Sequence, residues 1–270
     1  SRPNRGAPGR KMPGMEDIAL AFEHVRKTYG SFAALADCSL EVRAGELFGL
    51  AGVNGAGKTE LNKGLLDFAT PDTGSIRVFG LPAVSTAARR DLAFLPERFL
   101  PPYYLTGRDF LRYMLKLHRM PYAQARVEAM FAALDLDRRA LELPVRSFSK
   151  GMTQKLGLAA CLLSGKRLQV LDEPTSGLDP KARALPKREL ERLRADGRTV
   201  FLTSHLLPDI EQLCERMAVL HAGCIRYVGP PAGLIERHRS PDMEQAFLAC
   251  IGEAVETGQR AQEPVPKAHR

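Results

Sequence analysis

The chain has 270 residues, enough for one large domain or two small ones, and its 44% hydrophobic and 26% charged residues are the balance of an ordinary globular protein. Its longest apolar run, Leu156 to Leu163, is far too short to cross a membrane, and five scattered cysteines without CxxC spacing point to free thiols in a reducing compartment. The net charge of +8 permits attraction to nucleic acid or anionic lipid, but no basic stripe is interleaved with aromatics and Trp is absent, so no nucleic-acid partner is expected.

Residues 1–15 read as a disordered basic arm: they are rich in Pro, Gly and Arg, and no apolar h-region of a secretory signal follows. Ile18 to Val25 and Cys38 to Val42 alternate apolar and polar residues as half-buried strands do. Arg43 to Glu46 then turns into an apolar strand, Leu47 to Ala51. A helix is expected from Lys58 through Phe68, a turn at Thr70 to Gly74, and strands at Ser75 to Phe79 and Leu92 to Pro96. From Thr106 to Gly165 the chain reads as almost wholly helical, with apolar stripes such as Phe110, Leu111, Met114 and Leu115. Buried strands follow at Leu168 to Leu171 and Thr199 to Leu202, and Ala218 to Val228 reads as a hairpin turning at Ala222-Gly223. Residues 241–270 are expected to form a short helix and a disordered tail.

Between the third strand and its helix lies Gly52-Val53-Asn54-Gly55-Ala56-Gly57-Lys58-Thr59, with the spacing of a phosphate-binding loop. The chemistry requires that spacing. Glycines let the backbone curl until several N–H groups, among them those of Asn54, Gly55, Ala56 and Gly57, point at one anion. Lys58 reaches the outer phosphates, the Thr59 hydroxyl ligates Mg²⁺, and the helix presents its positive end. Glu60 is discordant, because it puts a carboxylate beside the phosphates. Two like charges about 4 Å apart near a surface repel by about 4 kcal/mol before screening. In the empty protein the same carboxylate favours the helix N-terminus by about 0.3–1 kcal/mol. Glu60 is therefore expected to stabilise the empty protein and weaken nucleotide binding unless it swings outward.

A phosphate loop needs a carboxylate for its metal and a means of activating water. Val170-Leu171-Asp172-Glu173 supplies both, since a strand ending in Asp172 holds the Mg²⁺ shell and Glu173 polarises the attacking water at the strand's carboxyl end.

With these parts the chain resembles the ATP-binding subunit of an ABC transporter, over about residues 16 to 250. Phe148-Ser149-Lys150-Gly151-Met152-Thr153-Gln154 resembles the family signature, Ser176-Gly177-Leu178-Asp179 its D-loop, Thr203-Ser204-His205 its switch histidine, and Tyr29 the aromatic that stacks on adenine. The resemblance implies an α/β fold: a P-loop NTPase core with a mostly parallel sheet, an antiparallel β subdomain and an inserted α-helical lobe at about 97–165, all within an ATPase domain at 16–240. It implies ATP and Mg²⁺ as cofactors, with Lys58, Glu173 and His205 catalytic and Thr59, Glu97 and Asp172 serving the metal. Ser149, Lys150, Gly151, Met152 and Asp179 meet the ATP of a second copy in a head-to-tail dimer. It also implies a separate transmembrane permease as partner, docked near the Q-loop and the helical lobe, and a peripheral place on the cytoplasmic face of the cell membrane.

Five positions depart from the family pattern. Glu97 stands where Gln is usual and still offers Mg²⁺ a hard oxygen. Lys150 and Met152 give the signature a Ser-Lys-Gly-Met form that resembles one subgroup of exporter subunits. Gln169 interrupts an apolar strand and needs a hydrogen-bond partner. Glu60 is the fifth, standing where the family usually has Ser or Thr. Two other readings stay open at this point, a soluble ABC ATPase acting on nucleic acid or ribosomes and a weakly active regulatory cassette.

Overall fold

A computed structural model describes residues 18–260, with side chains left out at 180–181 and 253–260. The expected basic arm and the end of the expected tail lie outside the described residues. Two long strands, β1 (Ile18–Tyr29) and β2 (Phe32–Arg43), pair antiparallel and extend well beyond the segments expected from alternation. The buried strand β3 (Leu47–Ala51) leads through the glycine loop into α1 (Lys58–Leu65). That helix stops short of the expected Phe68 because Asp67 takes a left-handed φ of 62°, and the Phe68 amide bonds back to the Lys63 carbonyl. β4 (Thr73–Val78) and β5 (Leu81–Pro82) complete an antiparallel group with β1, and β6 (Leu92–Leu95) returns to the parallel part.

The helical lobe comes next. It holds α2 (Gly107–Leu117), α3 (Gln124–Ala133) and α4 (Lys150–Leu163). The stretch that reads as almost wholly helical is three helices: left-handed Arg119 and Asp135, φ 59° and 52°, follow the ends of α2 and α3, and Pro121 and Pro144, which lack the N–H a helix interior needs, stand in the breaks. Then follow β7 (Leu168–Asp172), α5 (Pro180–Ala195), β8 (Thr199–Ser204), α6 (Leu207–Leu213), the hairpin β9 (Arg216–His221) and β10 (Cys224–Gly229), α7 (Pro231–His238) and α8 (Met243–Arg260). α8 is longer than the short helix expected there.

The strands form one ten-stranded sheet in the order β5-β4-β1-β2-β10-β9-β3-β8-β7-β6. From β9 to β6 neighbours are parallel, while β5, β4, β1 and β2 form the antiparallel subdomain. β3, β7 and β8 are buried at every residue, as parallel strands covered on both faces must be. Two cores follow from the alternation within these strands. Phe48, Leu50, Val170 and Phe201 pack with α1 and the antiparallel strands. Leu47, Ala51, Leu171 and Leu202 pack on the other face with the lobe and the later helices. Gln169, fully buried in β7, donates its amide nitrogen to the Lys166 carbonyl at 3.1 Å, and its oxygen has no protein partner.

Candidate functional site

Parallel strands end their carboxyl termini on one edge, and there β3, β7 and β8 deliver the candidate residues. The chain leaves β3 and reaches Gly57, which precedes α1 at φ 113°, a conformation that glycine adopts without strain. A Cβ at Gly57 would stand 2.8 Å from the Ala34 carbonyl oxygen. No side chain caps α1, so its first-turn amides remain for a ligand. The loop is braced from behind by the turn of the β9–β10 hairpin. The Gly223 amide donates to the Ala56 carbonyl at 3.0 Å, while the Gly223 carbonyl accepts from the Ala36 amide at 2.8 Å and the Cys38 thiol at 3.1 Å.

The resulting cavity has a volume of about 310 Å³. Its wall is formed by Tyr29, Asn54, Gly55, Ala56, Gly57, Lys58, Thr59, Glu60, Glu97, Asp172, Glu173 and His205, together with Phe32, Ala34 and Val53. Twelve of the residues expected from sequence thus meet in one place. Phe32, Ala34 and Val53 were not expected, because nothing in a strand-end Phe or a loop Val signals a ligand wall.

Lys58 folds back over the loop, and its ammonium donates to the carbonyls of Gly52 at 2.5 Å and Val53 at 3.3 Å. Burial pushes its pKa down, opposed by the carboxylates of Glu173, Asp172 and Glu97. Asp172 is buried at the end of β7 and accepts the Thr203 hydroxyl proton. Glu173 follows in a left-handed conformation, φ 49°, unusual for a residue with a side chain. Its amide is tied to the Thr203 carbonyl at 3.1 Å, and Gln154 of α4 donates to the carbonyls of Glu173 and Pro174 at 3.3 Å each. Its carboxylate is only 6% exposed and lies 2.9 Å from Nδ1 of His205. Burial pushes the Glu173 pKa up, with His205 and Lys58 acting against it.

Glu60 lines the cavity with both carboxylate oxygens already bonded. Its Oε1 pairs with the Lys63 ammonium at 2.7 Å and its Oε2 accepts the Tyr29 phenol proton at 2.8 Å. Burial pushes its pKa up, but the Lys63 and Tyr29 bonds outweigh this and hold the carboxyl below its ordinary value. The Lys63 ammonium thereby offsets part of the charge that Glu60 would set against a phosphate.

Six expected residues are not part of the cavity wall: Gly52, whose carbonyl accepts from the Lys58 ammonium, and Ser149, Lys150, Gly151, Met152 and Asp179. Ser149 caps α4, accepting the Met152 amide at 3.2 Å, and Asp179 caps α5, accepting the Ala182 amide at 2.9 Å. The two segments touch, since a Cβ at Gly177 would stand 2.8 Å from Cε of Lys150. A further network escaped the sequence altogether. Asp209 of α6 pairs with Lys187 of α5 at 2.8 Å and accepts the Thr175 hydroxyl at 2.8 Å, all largely buried. It ties the segment after Glu173 to the helix after His205.

Comparison with known proteins follows the same lines. The ABC transporter family model matches residues 35–176. The Nod factor export ATP-binding protein I of Bradyrhizobium diazoefficiens is 36% identical over 230 residues, which cover 83% of this chain and 74% of that protein. The protein of the same name from Rhizobium meliloti is 37% identical over 232 residues, covering 83% and 68%. For that of Mesorhizobium japonicum the identity is 36% over 225 residues, covering 82% of this chain and 66% of the relative's length. The fold is similar to the structure of an ATP binding subunit of an ABC transporter, with a TM-score of 0.76 and 26% identity, covering 86% of this chain and 99% of that one. The dimeric structure of a bacterial ABC transporter cassette matches with a TM-score of 0.71 at 22% identity over 78% of this chain and 98% of its own, a likeness of fold.

Proposed function

Because the chain belongs to the ABC transporter family, we propose that it is the ATP-binding and ATP-hydrolysing subunit of a transporter, and that ATP-driven pairing of two copies drives export through a separate membrane permease. The observation that carries this reading is the convergence of Lys58, Thr59, Asp172, Glu173 and His205 on one cavity at the carboxyl edge of the parallel sheet, where open α/β sheets bind ligands.

The roles follow from the geometry. Loop amides and Lys58 hold the phosphates, and Tyr29 and Phe32 offer the base an aromatic wall. Thr59, Glu97 and Asp172 are hard oxygen donors of the kind Mg²⁺ takes. Among the described residues no three His, Cys, Asp or Glu make a cage of their own, which fits a cation that keeps water and phosphate oxygens as ligands. When bound, Mg²⁺ neutralises charge that develops on the phosphoryl oxygens. Glu173 orients the attacking water and accepts its proton, and its raised pKa makes it the stronger base. Its bond to Nδ1 fixes the His205 ring and leaves Nε2 for the γ-phosphate.

Pairing follows from what a single copy lacks. Ser149 through Met152 stand at the N-terminus of a 14-residue helix, outside their own cavity. There the hydroxyl, amides and helix dipole suit a phosphate of the second copy in a head-to-tail dimer. A separate permease is suggested by the relatives, which are named export ATP-binding proteins. No described helix is long and apolar enough to cross a membrane. Leu100, Tyr103 and Tyr104, 88%, 67% and 70% exposed just after Glu97, offer a docking edge beside the cavity. The reading places the subunit on the cytoplasmic face of the membrane. Export is favoured by the names of the relatives, and the permease selects the cargo.

The test is hydrolysis of MgATP by the purified chain and by Glu173→Gln. The native chain is expected to turn over ATP, and the variant to lose turnover while forming dimers on size-exclusion chromatography only when ATP is present. Hydrolysis by the variant at the native rate removes Glu173 from its role.

A further inference from the structure

Two side chains of the cavity wall are bonded to each other across two elements. Tyr29 ends β1, Glu60 lies in the first turn of α1, and the phenol of one donates to Oε2 of the other at 2.8 Å. Lys63 holds the second carboxylate oxygen at 2.7 Å. The Lys27 ammonium, fixed by Asp72 at 2.9 Å, lies 5.5 Å from the centre of the Tyr29 ring. An aromatic ring that is half exposed is thus held at its tip and flanked by a cation. A serine or threonine at position 60 ends too close to its own backbone to make the phenol bond.

We infer that Glu60 is a positioning residue for the nucleotide base, setting Tyr29 as a stacking plate before the ligand arrives while Lys63 offsets the charge that would repel the phosphates. The inference rests on the ATP-binding reading above. A tyrosine has two soft side-chain torsions, and fixing them in the empty protein removes their ordering cost from binding. The carboxylate acts on the base end of the ligand through Tyr29, although in sequence it sits beside the phosphate end.

The two ends can be separated by experiment. ATP and inorganic tripolyphosphate, each with Mg²⁺, are titrated by calorimetry against the native chain, Glu60→Ala, Glu60→Gln, Tyr29→Phe and the Glu60→Ala/Tyr29→Phe double variant. Removing a repelling charge favours both ligands, tripolyphosphate somewhat more because it carries one more negative charge, and Glu60→Gln, which loses the charge but keeps an oxygen for the phenol, measures that share of the ratio. A change in the plate shifts ATP alone. The ratio of ATP to tripolyphosphate affinity is expected to fall about 3–10-fold in Glu60→Ala and in Tyr29→Phe, the worth of one hydrogen bond. It should fall no further in the double variant. Glu60→Gln keeps an oxygen for the phenol and is expected to stay within about threefold of the native ratio. An unchanged ratio in Glu60→Ala, with both ligands bound more tightly, makes Glu60 a repulsive charge only and overturns the inference. Fully additive single variants overturn it as well. A native chain that binds tripolyphosphate but not ATP overturns the ATP-binding reading itself, and the inference with it.

Discussion

Nδ1 of the half-exposed His205 lies 2.9 Å from Oε2 of the buried Glu173. The residue proposed to activate water and the residue proposed to sense the phosphate are thus one bonded unit. They leave adjacent parallel strands, β7 and β8, in register, with Asp172 opposite Thr203. The pair assembles with the sheet and needs no ligand to bring it together.

Glu173→Gln is expected to lower kcat by about 10²–10⁴-fold, the usual worth of a general base. The pH dependence has a definite sign. Burial raises the Glu173 pKa, so the folded chain holds this proton more firmly than the unfolded chain. The stability this contributes is full below the ordinary carboxylate pKa and is lost as pH rises through the raised value. Glu173→Gln removes the loss, so the empty variant melts higher than the native chain at neutral pH. Thermal melts should converge as pH falls to about 4. The acid limb of the kcat profile should lie above the ordinary glutamate range.

Lys187→Met leaves the Asp209 carboxylate buried without its cation, which costs about 3–5 kcal/mol. A fall in melting temperature of roughly 10 °C is expected, at about 2–4 °C per kcal/mol for a chain of this size. Lys187→Met/Asp209→Leu should recover most of it, and differential scanning calorimetry of the set gives the answer.

Ser149→Asp separates the two duties of Ser149. Aspartate caps a helix as well as serine does, so the variant should melt within about 1 kcal/mol of the native chain. Its charge would face a phosphate in the proposed dimer. ATP-dependent dimers of the Glu173→Gln background should disappear when Ser149→Asp is added, as read by size-exclusion chromatography.

Glu97→Gln removes one of the carboxylates that face Lys58 across the cavity. The Mg²⁺ concentration for half-maximal hydrolysis is expected to rise about 3–10-fold, since a charged oxygen ligand becomes a neutral one. A Mg²⁺ titration at saturating ATP checks this.

The cavity was legible in the sequence because its parts are local. A phosphate loop and a strand ending in Asp172-Glu173 each declare themselves within a few residues, and periodicity placed the strands that carry them. What sequence did not disclose is pairing at a distance. Glu60 reads as a charge beside a phosphate until Tyr29, far back in β1, is seen to bond it. Asp209, Lys187 and Thr175 are unremarkable polar residues until three elements bring them together. The strand ends and the end of α1 shifted for a related reason. Cross-strand partners extend β1 and β2 beyond their alternating segments, and a single left-handed Asp67 ends a helix whose apolar residues continue.

The bond from the Gly223 amide to the Ala56 carbonyl ties the glycine loop to the β9–β10 turn, on the side where the parallel and antiparallel strands meet. A phosphate loop anchored on that side can yield only forward, into the cavity. Nucleotide can then arrive and depart while the sheet behind it stays shut. Exchange of the Gly223 amide with solvent deuterium should accordingly follow the opening of the β9–β10 turn and be indifferent to nucleotide turnover in front of it.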